Sequence, residues 1–233
     1  ANAKFVVSNG TVDIEHYTDT AIGYVGTRSN HPFGLLTNGT PKLYITTAGN
    51  VGIGTGATVN RALEIAGNNN GGVKANYIRI TDTDTSATAD NQAGGIEFFT
   101  NDVTAGIAAS MEVLYAGSGG GGEITFNTAA NSSAGVVEAM RIDENGNVGI
   151  GTTSPASQDA SANNLVISDT AGNGGLTINT PTNAIGAIHF SDGTSGADRY
   201  RGIISYGHSD NSMRFHTNTA RAMTIDSSGN LLV

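Results

Sequence analysis

Apolar residues recur at every second position in short runs: Leu63 and Ile65, Ile96 and Phe98, Ile124 and Phe126, Met140 and Ile142, Met213 and Phe215. A period of two places such residues on one face of an extended chain, so each run predicts a short strand that can bury one side. No stretch keeps an apolar stripe at helical spacing over three turns. Between the runs lie SNG, TNGT, AGN, GNNNGG, GSGGGG, ENGN and AGNGG, rich in residues that tolerate turns and positive φ. The fold class predicted is all-β. The DENG segment at residues 143–146 predicts a hairpin turn between MRI and NVGI, with TTAG at 46–49 and DSSG at 226–229 as its counterparts.

Self-similarity organises these strands. PKLYITTAGNVGIGT at 41–55 returns as AMRIDENGNVGIGTT at 139–153, and AMTIDSSGNLLV at 222–233 is a third version. Gly49, Gly146 and Gly229 align, as do Asn50, Asn147 and Asn230. The glycines lie 97 and 83 residues apart, which is too wide and too uneven for a tightly packed solenoid. Echoes precede each ending: FVVSNG, LEIAG and LVISDTAG; then GIEFFTN and AIHFSD; then GLLTNG, EITFNT and MRFHTN. Three β units follow, with boundaries at 1–60, 61–160 and 161–233. Within the repeated ending Gly52 and Gly54 flank Ile53, and Gly149 and Gly151 flank Ile150. Glycine weakens an isolated strand, so a close approach of backbones is expected in return. Packing around a symmetry axis supplies one, with Ile53, Ile142 and Ile150 turned toward an interior shared between subunits.

Composition supports association. Glycine supplies 33 of 233 residues, roughly twice its ordinary share of ~7%, and contributes little core volume to a single chain. With no cysteine the chain makes neither disulfides nor thiolate metal sites. Eleven basic against twenty acidic residues, without a Lys/Arg cluster, argue against nucleic acid or an anionic membrane as the main partner. The apolar runs are too short to insert in a membrane as helices.

The segment MRIDENGNVGIGTTSP at 140–155 resembles a motif recurrent in bacteriophage tail-fibre and related virion-fibre proteins. The likeness is strong over 139–155, shortened over 41–55 and 222–233, and loose elsewhere. It implies an elongated, β-rich homotrimer, built as serial small domains or as a β-prism or triple-stranded shaft. Such a protein is attached to other virion proteins, on a tail or head appendage, and projects toward the host surface. Two departures stand out. Neither the intramolecular chaperone nor the receptor-binding tip that often follows such repeats is evident, and the third ending reads GNLLV instead of GNVGIG.

Candidate chemistry is sparse. His16, His31, His189, His208 and His216 form no metal-binding motif; His189 and His216 alternate with apolar strand residues, as structural or binding positions on a strand face. YRGIISYGHSD at 200–210 brings Tyr200, Arg201, Tyr206 and His208 close in sequence as a polar aromatic patch for a host-surface glycan, set against the plainer reading of a sheet edge. Asp82, Asp84 and Asp90 have oxygen ligands but lack the glycine and glutamate of an EF-hand loop. Glu97, Glu112 and Glu123 are the acids available for glycan hydrolysis, and Ser191, Ser205 and Ser209 lack a nucleophile motif. GIGTGAT at 52–58 lacks the Lys-Ser/Thr ending of a phosphate loop. The expectation is a structural protein without catalysis, metal or cofactor, with carbohydrate binding as the alternative and glycan depolymerisation as the weakest.

Overall fold

The structure, a computed structural model, describes residues 4–18, 21–67, 78–83, 88–101, 105–117, 121–130, 135–169 and 171–233. The chain divides into two compact units, Ala1–Ile80 and Thr81–Val233. In the first, β1 (Lys4–Ser8), β2 (Asp13–Thr18) and β3 (Gly23–Thr27) make an antiparallel sheet. A second sheet contains β4 (Phe33–Thr37), β5 (Thr40–Ile45), β6 (Val51–Ile53) and β7 (Leu63–Ile65), with the β6–β7 pair parallel.

The second unit also has two sheets. The third sheet of the chain contains β8 (Gln92–Thr100), β9 (Gly106–Tyr115), β10 (Gly122–Thr128), β11 (Val137–Ile142), β12 (Val148–Ile150) and β13 (Leu165–Ile167), again with a parallel last pair. The fourth contains β14 (Ile185–Phe190), β15 (Gly202–Gly207), β16 (Ser212–Thr217), β17 (Ala220–Ile225) and β18 (Leu231–Leu232), all antiparallel. Apart from two short 3-10 turns, Pro155–Ser157 and Gly196–Tyr200, no helix occurs among the described residues. Leu63–Ile65 and Leu165–Ile167 lie just past the boundaries expected at 60 and 160, and each hydrogen-bonds back to the preceding ending.

The repeats superpose by register. Leu35 faces Leu43, Phe126 faces Met140 and Phe215 faces Met223; immediately beyond each pair the partner strand carries one extra residue, Lys42, Ala139 or Ala222. Such a bulge bends the strand and frees a carbonyl. In two copies that carbonyl accepts the N–H of the last glycine of the ending: Gly54 N to Lys42 O at 2.9 Å, and Gly151 N to Ala139 O at 3.0 Å.

The predicted hairpin turns are present in all three copies. Thr46, Asp143 and Asp226 each donate an N–H to the carbonyl of Asn50, Asn147 and Asn230, and accept from the N–H of Gly49, Gly146 and Gly229. Those glycines have φ of 86°, 84° and 83°, the left-handed conformation that closes a three-to-five-residue hairpin with a glycine bulge. The first side chain of the turn then locks it. Asp143 accepts from the N–H of Asn145 and Asn147 and from the Asn147 amide, and Asp226 repeats the pattern with Ser228 and Asn230. Thr46 does so with one hydroxyl, which accepts from Asn50 N.

No apolar side chain is fully buried among the described residues apart from Pro155; what is buried is polar, including Glu15, Ser110, Glu123, Thr125, Asn127, Arg141, Asp143, Asn147, Ser205 and Ser212. Strand β10 shows the inversion most plainly, with Glu123, Thr125 and Asn127 buried and Ile124 and Phe126 each 38% exposed.

Candidate assembly surface

The exposed apolar residues form continuous rows across each sheet. In the third sheet, register aligns Ile96, Met111, Phe126, Met140 and Ile150, with Ile167 beside Ile150 in parallel. A second row holds Val113, Ile124, Ile142, Val148 and Leu165. The second sheet aligns Leu35, Leu43, Ile53 and Ile65, and next to them Phe33, Ile45, Val51 and Leu63. In the fourth, Ile188, Ile204, Phe215 and Met223 share a row. The first sheet aligns Phe5, His16 and Val25 beside Val7 and Ile14. Each row follows the period-two pattern, and within the single chain its members are half-buried or exposed, none fully buried.

In the first and third sheets the opposite faces close on themselves. In the third sheet Arg141 pairs with Glu123 and, at 2.8 Å, with Glu138, while Asp90 lies 3.9 Å away. Asn127 donates to Ser110 and Thr125, and Ser110 donates to Glu112 at 2.6 Å. Burial pushes the Glu123 carboxyl up more strongly than Arg141 pulls it down, and the hydrogen bond to Glu138 chiefly holds the Arg141 guanidinium charged. Burial opposes ionisation of Asp143, but donors from Asn147, Asn145 and Gly146 outweigh it and hold that carboxyl below the usual range. Donors from the Asn230 side chain and backbone do the same for Asp226. In the first sheet Glu15 is buried between Lys4, at 2.5 Å, and Arg28, at 3.5 Å.

The glycines of the ending find their close approach within one chain. A Cβ on Gly52 would stand 2.1 Å from the Thr55 hydroxyl, and one on Gly149 would stand 2.7 Å from the Thr152 carbonyl, because the segment after the ending folds back over this strand. Pro155, at the head of that fold-back, is fully enclosed. A Cβ on Gly54 or Gly151 would meet the carbonyl of Ala66 or Ser168 at 2.2 or 2.1 Å, just beyond the parallel strand. The expected approach around a symmetry axis is therefore replaced by loop and strand neighbours of the same chain. The isoleucines beside these glycines are where the periodicity put them: Ile53 and Ile150 are 43% and 40% exposed on the apolar face, and Ile142 is half-buried there.

The proposed aromatic patch is split. Tyr200 and Arg201 precede β15, and Tyr206 and His208 lie at its far end. Arg201 is already engaged, reaching Asp198 at 2.5 Å, Asp192 at 3.5 Å and Asn218 at 3.0 Å, so it ties the loop before β15 to the β16–β17 turn. Tyr206 and His208 pack edge to face with centroids 5.0 Å apart, and the Tyr206 hydroxyl donates to Asn211. Tyr206 shares the apolar face with Met213 and Ile225. Among the acids, Glu112 and Glu123 are held by Ser110 and Arg141, and Asp82 accepts from the Tyr115 hydroxyl. Asp84 lies outside the described residues. Among the described residues no three His, Asp or Glu gather as metal ligands.

Two features had no signal in the repeats themselves: the buried Arg141 network and the parallel pairs. A basic residue alternating with Met140 and Ile142 on a strand, with glutamates at 123 and 138, is the trace the first leaves in sequence.

The architecture defines an all-β protein of several small sheets, each with one uncovered apolar face. No family model and no curated protein matches the chain. Two solved structures show distant similarity to it. One is the carboxy-terminal domain of the bacteriophage T5 L-shaped tail fibre with its intramolecular chaperone domain, at 16% identity and a TM-score of 0.39, covering 71% of this chain and 60% of that one. The other is the carboxy-terminal domain of the same tail fibre, at 16% identity and a TM-score of 0.36, covering 71% of this chain and 88% of that one.

Proposed function

We propose that the chain is a structural segment of a phage tail fibre or other virion appendage, working as an elongated homotrimer attached to other virion proteins and projecting toward the host. One observation carries the reading: the second, third and fourth sheets each present continuous rows of apolar side chains that the single chain leaves uncovered, while the side chains buried among the described residues are almost all polar. Full burial of a Phe or Ile side chain is worth about 1.5–3 kcal/mol, so rows this long are a strong drive to associate. Copies of the same chain provide matching rows at the same heights, and the count of three comes from the resemblance of residues 140–155 to virion-fibre repeats. The closed ion pairs and caged turn aspartates suit a structural role. Repeats of 1–60, 61–160 and 161–233 become successive segments of the appendage, with the parallel strands β7 and β13 stitching each ending to the chain that follows.

Immunogold imaging of virions with antibody against the fourth sheet tests the placement. Gold on a tail or head appendage supports it; the chain found only inside the capsid or free in lysate contradicts it.

A further inference from the structure

We propose that the polar face of the fourth sheet binds a carboxylate- or sulfate-bearing saccharide through His189, Arg214, His216 and Arg221. The proposal rests on the assembly reading, which turns the apolar face of this sheet inward and leaves the polar face outward.

Register brings the four together. His189 and His216 flank Ile203 on adjacent strands, Arg221 faces His216 directly, and Arg214 lies two residues before His216 on the same face. With strands about 4.8 Å apart, His189 and His216 are separated by about 10 Å. His189, Ser205, Arg214 and His216, with Ala187 and Ile203 as an apolar floor, line a cavity of about 320 Å³. Asp210 pairs with one end of the Arg214 guanidinium, but its enclosed Nε–H meets no acceptor. Arg221 is exposed and has no acidic partner among the described residues.

The third sheet shows that the scaffold does not require these residues. Aligning Phe126 with Phe215 and Met140 with Met223 places Glu97 at the position of His189, Thr125 at Arg214, Asn127 at His216 and Glu138 at Arg221. The same positions thus carry acids and neutral groups in one sheet and basic side chains in the other. The cover differs as well. Gly149, which admits the fold-back over the third sheet, corresponds to Leu232, whose side chain is 53% exposed. Arginine recognises a carboxylate or sulfate by paired charge-assisted hydrogen bonds, while Ser205 and the imidazoles offer hydrogen bonds to ring hydroxyls. A nucleic acid is disfavoured by the net charge of -9 and by the smallness of the patch.

The test is binding of the assembled protein to immobilised heparin, polygalacturonate, neutral dextran and duplex DNA at about 50 and 200 mM salt. Binding to heparin or polygalacturonate, weakened by salt and absent on dextran, is expected. The double variant His216→Gln, Arg221→Gln should lose roughly tenfold or more in affinity, as expected for removed charge-assisted hydrogen bonds, with native mass unchanged. Glu97→Gln should bind as the parent does. No binding to either acidic polysaccharide, equal binding to dextran or DNA, or full affinity in the double variant overturns the proposal. Native mass on the same samples separates the two readings: an oligomer that ignores both polysaccharides overturns the ligand alone, and a monomer that binds them overturns the assembly alone.

Discussion

The third and fourth sheets follow one path through one register, with the same bulge, the same Asp-x-x-Gly-Asn turn and the same Phe–Met pair at the centre of the apolar row. Their polar faces diverge. The third is a closed network, with Arg141 between Glu123 and Glu138 under a fold-back headed by Pro155. The fourth is more open, with His189 and Arg221 exposed and His216 half-buried between them. In the proposed assembly an apolar face has to keep its rows at fixed heights in every copy. A polar face needs only to satisfy its hydrogen bonds, locally or with a ligand, and is free to differ.

The shared face is the place to strike hardest. Phe126→Asp or Phe215→Asp puts a charge in the middle of a row that assembly would bury, at a cost of several kcal/mol per chain. Either change should abolish the oligomer in native mass measurements; a variant that still assembles would show that the row is not an interface. Next come the glycines. Gly151→Ala combines a positive φ with a Cβ 2.1 Å from the Ser168 carbonyl and should cost more than about 2 kcal/mol in denaturant unfolding. Gly146→Ala and Gly229→Ala have the same backbone strain but open space around the added carbon, and should cost about 1 kcal/mol each.

Smaller effects separate the two polar faces. Glu138→Gln removes the main partner of a buried guanidinium and should cost about 2 kcal/mol, with Glu123→Gln costing less because burial already disfavours its charge. The pH dependence has two signs. The lowered Asp143 and Asp226 contribute stability above the pH at which a free aspartate titrates, about 3.9, and that stability is lost as pH falls through their folded values. Glu123, raised by burial, acts the other way: stability falls as pH rises through its folded value, so Glu123→Gln should flatten that limb in the third sheet only. Arg221→Gln, on the open face, should change stability by less than about 0.5 kcal/mol.

Much of the architecture was legible because it is local. Alternation at Ile124 and Phe126 or Met213 and Phe215 fixes strand and face together, and Gly49, Gly146 and Gly229 mark their turns through a conformation that other residues avoid. What alternation omits is which strands become neighbours across a long connection. Val148 and Leu165 pair in parallel across a 3-10 turn and a loop, and neither strand exceeds three residues, too short to show a period. The role of Gly149 and Gly151 was hidden for the same reason, since the atoms they make room for, in Thr152, Pro155 and Ser168, belong to that connection. Tyr200 and Tyr206, close in sequence, lie at opposite ends of β15, because six strand residues span about 20 Å. The basic face is only partly legible in sequence, because His189, Arg214, His216 and Arg221 meet through register on three strands.

The mass of the purified protein under native conditions, followed over a hundredfold dilution, tests the central claim most directly. Three chains of 23.6 kDa predict a species of about 71 kDa that unfolds as it dissociates, with a midpoint that rises with concentration. A folded species of 23.6 kDa, stable and independent of concentration, would contradict the account.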